Sequence, residues 1–295
     1  MLAQKLLSKG EYLFSHKHYL VVVDSYTRIY DRTNLKKEIL SVKTPNSYWG
    51  TSLSDEVILV KAADGDYWFI DIVKQTSRRI LPFRRKNSYT AHPVIKPGQN
   101  YMFDLSSDGC VSVLQKIGFD GTSRELYRLP VYGSSNLFRA SASVLVITNS
   151  RTIDEVTTEN RHELRRVEFN VQTGKVEREE CCQFPVPCLY QDFDFAVLRD
   201  GTVIRFYGEQ LNEKLDFQSF GLPLWADKVL YVQRLEKRII CLMYSDRVRI
   251  FDLHNTTFYK EVIVPYPVSI IHYEDKLLIG TWEGVYQILY KEVFP

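Results

Sequence analysis

No stretch of the 295 residues approaches the roughly 18–20 consecutive apolar residues that a membrane-spanning helix requires. The opening MLAQKLLSKGEYLF also lacks the apolar run of roughly 7–15 residues that marks a secretory leader, because Lys9 and Glu11 interrupt it. Neither sign of charge dominates. Thirty-eight Lys and Arg against 36 Asp and Glu leave a formal net charge of +2, so no global basic field invites nucleic acid or an anionic membrane. The five cysteines are Cys110, Cys181, Cys182, Cys188 and Cys241. An odd number without a leader reads as free thiols in a reducing compartment, not as a disulfide framework. A cytoplasmic protein is the expectation.

Catalytic signatures are missing as well. There is no G-x-S-x-G elbow, no P-loop, no G-x-G-x-x-G and no H-E-x-x-H. His16-Lys17-His18 would put two imidazoles on one face of a strand, but no third ligand follows at a diagnostic spacing, and Cys181-Cys182 with Cys188 fits no zinc pattern. No catalytic residue, metal or cofactor is expected.

What the chain does have is aromatic mass, with 19 Tyr, 16 Phe and 4 Trp against 3 Met. Such residues pack well on a pleated surface and favour β-structure. An internal repeat organises them. An apolar strand, a tight turn, a second strand ending in Asp or Asn, a polar turn and a third strand recur with starts near 19, 57, 101, 144, 195, 238 and 276. A period near ~40 residues is that of four-stranded propeller blades. The innermost strand (a) of each blade precedes each start, as SYWGTSL does before Val57, and strands b, c and the outer d follow. The last unit stops after its c strand, Val285–Tyr290. At the other end, LAQKLLSKGEYLF runs parallel to NLKKEILSVKTPNSYW. Leu2–Ser8 therefore reads as an outer strand that pairs into the last blade and closes the ring, covering edges that would otherwise template aggregation. The expected fold is an all-β, seven-bladed β-propeller of four-stranded antiparallel blades, a single domain over residues 1–295.

The c strands end in IYDRT (Asp31), FIDIV (Asp71), GFDGT (Asp120), EFNVQTG (Asn170) and IFDLHNTT (Asp252). On these residues the unit resembles a WD40-type blade. The tryptophan that precedes this Asp in the family is replaced in every unit. The resemblance implies a propeller used for recognition. Asp and Asn at such corners accept hydrogen bonds from backbone N–H groups two residues on, so these residues read as turn-formers, not as a ring of metal ligands. Asp64-Gly65, Asp108-Gly109 and Asp200-Gly201 read as type I′ hairpin turns between strands b and c.

Binding residues are sought in the d–a and b–c connections, which share one face of a propeller. The basic cluster Arg84, Arg85 and Lys86 falls there, as do the aromatics Tyr48, Trp49, Tyr89, Tyr132, Tyr190, Trp225 and Tyr266. Tyr, Trp and Arg dominate binding hot spots. Unit four carries an apparent loop insertion, Asn149 to His162, with Arg151, Ile153 and Val156; loops of that length in compact domains are functional or disordered. These features suggest a non-catalytic protein–protein interaction module, whether scaffold, adaptor or inhibitor subunit, with a protein partner. The alternative is an enzyme or small-molecule binder using the axial funnel through His92, Arg139, Asp192 and Asp194. The two aspartates share a face if their segment is extended. Nucleic acid ranks last at this net charge.

Overall fold

The computed structural model describes residues 1–80, 92–96, 98–107, 111–129, 133–154, 161–206, 213–214, 229–237, 239–253 and 257–294. After β1 (Gln4–Leu7), the first sheet is β2 (Tyr12–Ser15), β3 (Tyr19–Val23), β4 (Tyr26–Asp31) and β5 (Asn34–Lys43). The second is β6 (Ser47–Ser52), β7 (Val57–Ala62), β8 (Tyr67–Asp71) and β9 (Thr76–Ile80). The third is β10 (Val94–Ile95), β11 (Tyr101–Ser107), β12 (Ser112–Gly118) and β13 (Ser123–Leu129). The fourth is β14 (Ser134–Arg139), β15 (Val144–Asp154), β16 (Arg161–Asn170) and β17 (Lys175–Phe184). The fifth is β18 (Cys188–Gln191), β19 (Phe195–Leu198), β20 (Thr202–Arg205) and β21 (Glu213–Lys214). The sixth is β22 (Tyr231–Glu236), β23 (Ile239–Met243), β24 (Arg247–Asp252) and β25 (Thr257–Ile263). The seventh holds β26 (Pro267–Tyr273), β27 (Lys276–Thr281) and β28 (Gly284–Leu289), followed by a single helical turn, α1 (Tyr290–Val293).

Each sheet is a four-stranded antiparallel meander in chain order, except that β1 takes the fourth place of the seventh, in the order β1-β28-β27-β26. Seven such sheets in succession are the architecture of a seven-bladed β-propeller. Gln4 stands opposite Gln287 and Leu7 opposite Val285, so the N-terminal segment is an outer strand of the last sheet. Just upstream, Ala3 donates its N–H to Ile263 O at 3.2 Å, which ties the same segment to the sixth sheet.

The strand sequences explain the layering. The second strands, YLVVV in β3 and IICLM in β23, are almost wholly buried, as continuous apolar runs covered on both faces must be. The outer strands β5, β9 and β17 are polar and mostly exposed. The chain forms two compact units. One comprises Met1–Ala62, Tyr67–Arg79 and Leu215–Pro295; the other comprises Ala63–Asp66 and Ile80–Lys214. In the first unit, alternation along β3 sends Val21 and Val23 against Ile58, Val60 and Ile70 of the second sheet. Leu20 and Val22 go the other way, against Leu278 and Val285 of the seventh. Leu277 and Ile279 pack in turn on Cys241, Met243 and Ile250 of the sixth. In the second unit, Phe103, Leu114, Leu145, Ile147 and Phe169 join the third and fourth sheets. Leu164 packs on Ala196, Leu198 and Ile204 to join the fourth and fifth.

Asp31, Asp71, Asp120 and Asn170, at the ends of third strands, are turn-formers, whereas the corner after Asp252 falls on residues 254–256, outside the described residues. Asp31 Oδ1 accepts Thr33 N–H at 2.9 Å and its hydroxyl at 2.7 Å. Asn170 Oδ1 accepts the N–H groups of Gln172 and Thr173, and Asp71 Oδ1 that of Lys74. Two expectations need correction. Only the glycines of Asp64-Gly65 and Asp200-Gly201 have positive φ, +88° and +85°, so these turns are not type I′, and Asp108-Gly109 lies outside the described residues. Both described ends of the Asn149–His162 segment are strand, not loop: β15 runs to Asp154 and β16 starts at Arg161, with Arg151 opposite Glu163 and Thr152 opposite His162, while residues 155–160 lie outside the described residues. Opposite charges directly across a ladder support pairing, and the Arg151–Glu163 pair extends this hairpin past its neighbours.

Candidate interaction surface

In the first unit, aromatic side chains gather where d–a and b–c connections meet the sheet ends. Tyr12, at the start of β2, meets Tyr48 of β6 edge to face, with ring centroids 6.3 Å apart. Tyr12 also hydrogen-bonds Tyr231 at the start of β22, and burial followed by the charge of Glu11 pushes the Tyr231 phenol up. Glu11 is half-buried, and its carboxyl is raised first by burial and then by Asp24. Asp24 is itself ion-paired, its Oδ2 lying 2.6 Å from Arg28 Nη1. The Arg28 guanidinium sits 5.3 Å from the Tyr26 ring. Glu11 has no such cation among the described residues.

Its backbone, by contrast, is fastened. Ser269 Oγ donates to Glu11 O at 2.6 Å, and Thr281 N–H donates to Gly10 O at 3.0 Å. These bonds seat the start of β2 beside the b–c turn of the seventh sheet, where the largest exposed aromatic feature among the described residues lies. Trp282, 57% exposed, stacks on Tyr266, 43% exposed, with centroids 5.3 Å apart and planes 11° from parallel. Tyr266 holds φ at +45°, a conformation that bulky residues rarely adopt and that persists only when its surroundings enforce it. Here Tyr266 N–H donates to Ser245 O and Trp282 N–H donates to Tyr266 O. Leu230 and Tyr231 add a third exposed group.

Of the residues expected at a docking face, Tyr48 and Trp49 lie half-buried in β6 of this unit. Arg151 and Ile153 lie in β15 of the second unit; Arg151 is paired with Glu163 at 3.1 Å, and Ile153 is 39% exposed. Arg84, Arg85, Lys86, Tyr89, Tyr132, Val156 and Trp225 lie outside the described residues. Sequence reasoning passed over Glu11, Tyr12, Tyr26, Tyr231 and Trp282. A Trp in the two-residue turn between β27 and β28, where polar residues are usual, was the available signal for the last.

The funnel set is divided. His92 precedes β10, whereas Arg139 ends β14 and the two aspartates follow β18, so His92 belongs to the opposite end of its sheet. Asp192 and Asp194 occupy a turn, with Asp192 N–H donating to Phe195 O at 2.8 Å, and not the extended segment that would align them. Asp192 itself accepts the Tyr190 hydroxyl and the Phe193 N–H, both at 2.6 Å. Arg139 has Nε and Nη2 buried without hydrogen-bond partners. His16 is spent on structure, its Nε2 3.0 Å from Ser54 O and its ring stacked on Tyr19. Among the described residues no group of three His, Cys, Asp or Glu is placed to hold a metal, and no helix is long and apolar enough to cross a membrane.

The geometry defines a class: a β-propeller with an aromatic surface at one set of sheet ends. No protein-family model matches the chain, and no curated protein matches it. Among solved structures, the C-terminal WD40 domain of Sif2 is similar, with a TM-score of 0.57 at 12% identity over 99% of this chain and 86% of that one. The fold is that of a WD40-like β-propeller.

Proposed function

We propose that this chain is a non-catalytic protein-interaction module of the cytosol, a scaffold, adaptor or inhibitor subunit, whose 295 residues act as one domain. Its partner docks on the face that carries the d–a and b–c connections. The observation that carries this reading is the Tyr266–Trp282 stack, two large aromatic rings held in solvent by a strained backbone. A rigid aromatic anchor of this kind supplies contact area at little entropic cost. Tyr12, Tyr48, Tyr231 and the unneutralised Glu11 surround the same ends of the unit, and Arg84–Lys86, Tyr132, Val156 and Trp225 remain candidates for the rim.

A photo-crosslinking residue placed at Trp282, with a control at the exposed Val73 of the β8–β9 turn, tests it in native extract. Adducts to a discrete protein are expected from position 282 and not from 73. The Trp282→Ser variant should weaken the captured complex by about 2 kcal/mol, or roughly 30-fold in Kd. Absence of adducts at both positions, or equal adducts from both, would overturn the reading. The funnel alternative keeps one supporting observation, the buried unpaired Nε and Nη2 of Arg139, which would suit a small anionic ligand. Thermal stabilisation by metabolites that Arg139→Gln abolishes would favour it.

A further inference from the structure

The c–d turn of the third sheet is tightly built. Gly118 N–H donates to Thr122 O at 2.7 Å, and Gly121 N–H donates to Gly118 O at 3.0 Å. Asp120 Oδ1 accepts both the Thr122 N–H and its hydroxyl, at 3.0 and 2.7 Å. A Cβ on Gly118 would lie 2.4 Å from Asp120 Oδ1 and 2.5 Å from Thr122 Oγ1, so the turn's side chains fold back closely over this glycine. Beside it opens a cleft of about 260 Å³ lined by Asn100, Tyr101, Lys116, Ser123, Arg124 and the turn.

Two cations share this cleft. Lys116 of β12 and Arg124 of β13 stand directly opposite each other in the ladder, an arrangement that costs stability when the charges are alike. Lys116 Nζ lies 3.7 Å from the centre of the Tyr101 ring, the shortest cation–ring approach among the described residues. That ring is propped edge-on against Phe103 at 5.4 Å. Among the described residues neither Lys116 nor Arg124 has an ion pair or a side-chain hydrogen bond. The carboxylates nearby are engaged elsewhere: Asp120 within its turn, and Glu125 with Arg128 at 2.9 Å. The side chains of Asn100 and Ser123 add two donors that are likewise without a partner among the described residues.

We propose that this cleft binds the phosphoryl group of a phosphate monoester, with Lys116 and Arg124 sharing its oxygens. A monoester carries close to two negative charges above its second pKa of about 6, which matches two unneutralised cations. Guanidinium offers its oxygens two parallel N–H donors. A diester has one charge and a carboxylate two oxygens, so each would leave donors unused. The ester is carried either by a phosphorylated side chain of a protein or by a small metabolite. Because the cleft lies at the a–b and c–d end of its sheet, it does not depend on the Tyr266–Trp282 surface.

Calorimetric titration of the full chain tests this with four probes: inorganic phosphate, a phosphoserine peptide, its unphosphorylated twin and dimethyl phosphate. Saturable binding of phosphate or the phosphopeptide is expected, several-fold tighter at pH 7.5 than at pH 5 as the second ionisation near ~6 completes. Tighter binding of the peptide points to a protein source, tighter binding of phosphate to a small ester. Arg124 is exposed, so Arg124→Gln should fold, lose about tenfold in affinity and melt at a higher temperature once the repulsion is gone. Lys116→Met should weaken binding similarly; if it does not fold, Arg124→Gln decides alone. Failure of both inorganic phosphate and the phosphopeptide to saturate, equal binding of dimethyl phosphate or the unphosphorylated peptide, or unchanged affinity in Arg124→Gln overturns the proposal.

Discussion

Gly280 shows how little room separates the first and last sheets of the first unit. A Cβ there would lie 2.0 Å from Glu11 O and 2.5 Å from Ser269 Oγ. Neither is a free-swinging side-chain end: one is backbone, and the other is the hydroxyl that bonds that backbone. Gly280→Ala should therefore cost about 1–3 kcal/mol, the usual penalty of overpacking, seen as a lower urea midpoint with an unchanged slope. Glu11 itself supplies a second residue-scale prediction. Burial and then Asp24 raise its carboxyl pKa in the folded state, so the folded chain binds this proton more readily than the unfolded one. Its ionised form costs stability above the folded pKa, and that cost is absent below the unfolded pKa. Glu11→Gln should stabilise the protein at pH 7 and do nothing at pH 3, by thermal melts. A stabilisation equal at both pH values would show that charge is not the cause.

At the scale of elements, the β15–β16 hairpin depends on charge of the opposite sense. Glu163 is nearly buried between Arg151 and Arg165, at 3.1 and 3.3 Å. Burial would raise its carboxyl, yet the Arg151 hydrogen bond and charge, with Arg165, hold it below the ordinary 4.5. Its contribution is thus present above the unfolded pKa and lost as pH falls through the folded one. Glu163→Gln should cost about 2 kcal/mol at pH 7, and native and variant should converge in acid. This hairpin is also where the sequence misleads, for NSRTID reads as a loop because the strand there is ladder-held by charges and not by an apolar face. The second strands were legible for the contrary reason, since runs such as YLVVV and IICLM are buried on both faces. The Asp and Asn corners were legible because Asx turns are local. The site was legible only in part. Tyr48, Trp49 and Tyr266 stand out beside inner strands, but nothing local in Tyr12 announces a hydrogen bond to Tyr231 near the other end of the chain.

For the whole molecule, the telling fact is that the first unit is assembled from both ends, Met1–Arg79 less the Ala63–Asp66 turn, and Leu215–Pro295. Its most distant pairing is β1 with β28, where Gln287 reaches Gln4 across 283 positions. Contacts of such separation form late, because loop-closure entropy must be met before they are rewarded. Leu7→Ala in β1, which trims a partly buried side chain against the Val285 cluster, should therefore speed unfolding and leave the refolding rate near that of the unaltered chain. Stopped-flow kinetics in urea distinguish this from the contrary result, in which refolding slows and β1 docks early.

The same pairing sets a clock on biosynthesis. At about 5–20 residues per second, the ribosome needs roughly 14–57 s to add the 283 residues that separate the two glutamines. Through that interval β1 has no partner strand and the apolar side of the first sheet meets water, a nascent chain that a holdase would recognise.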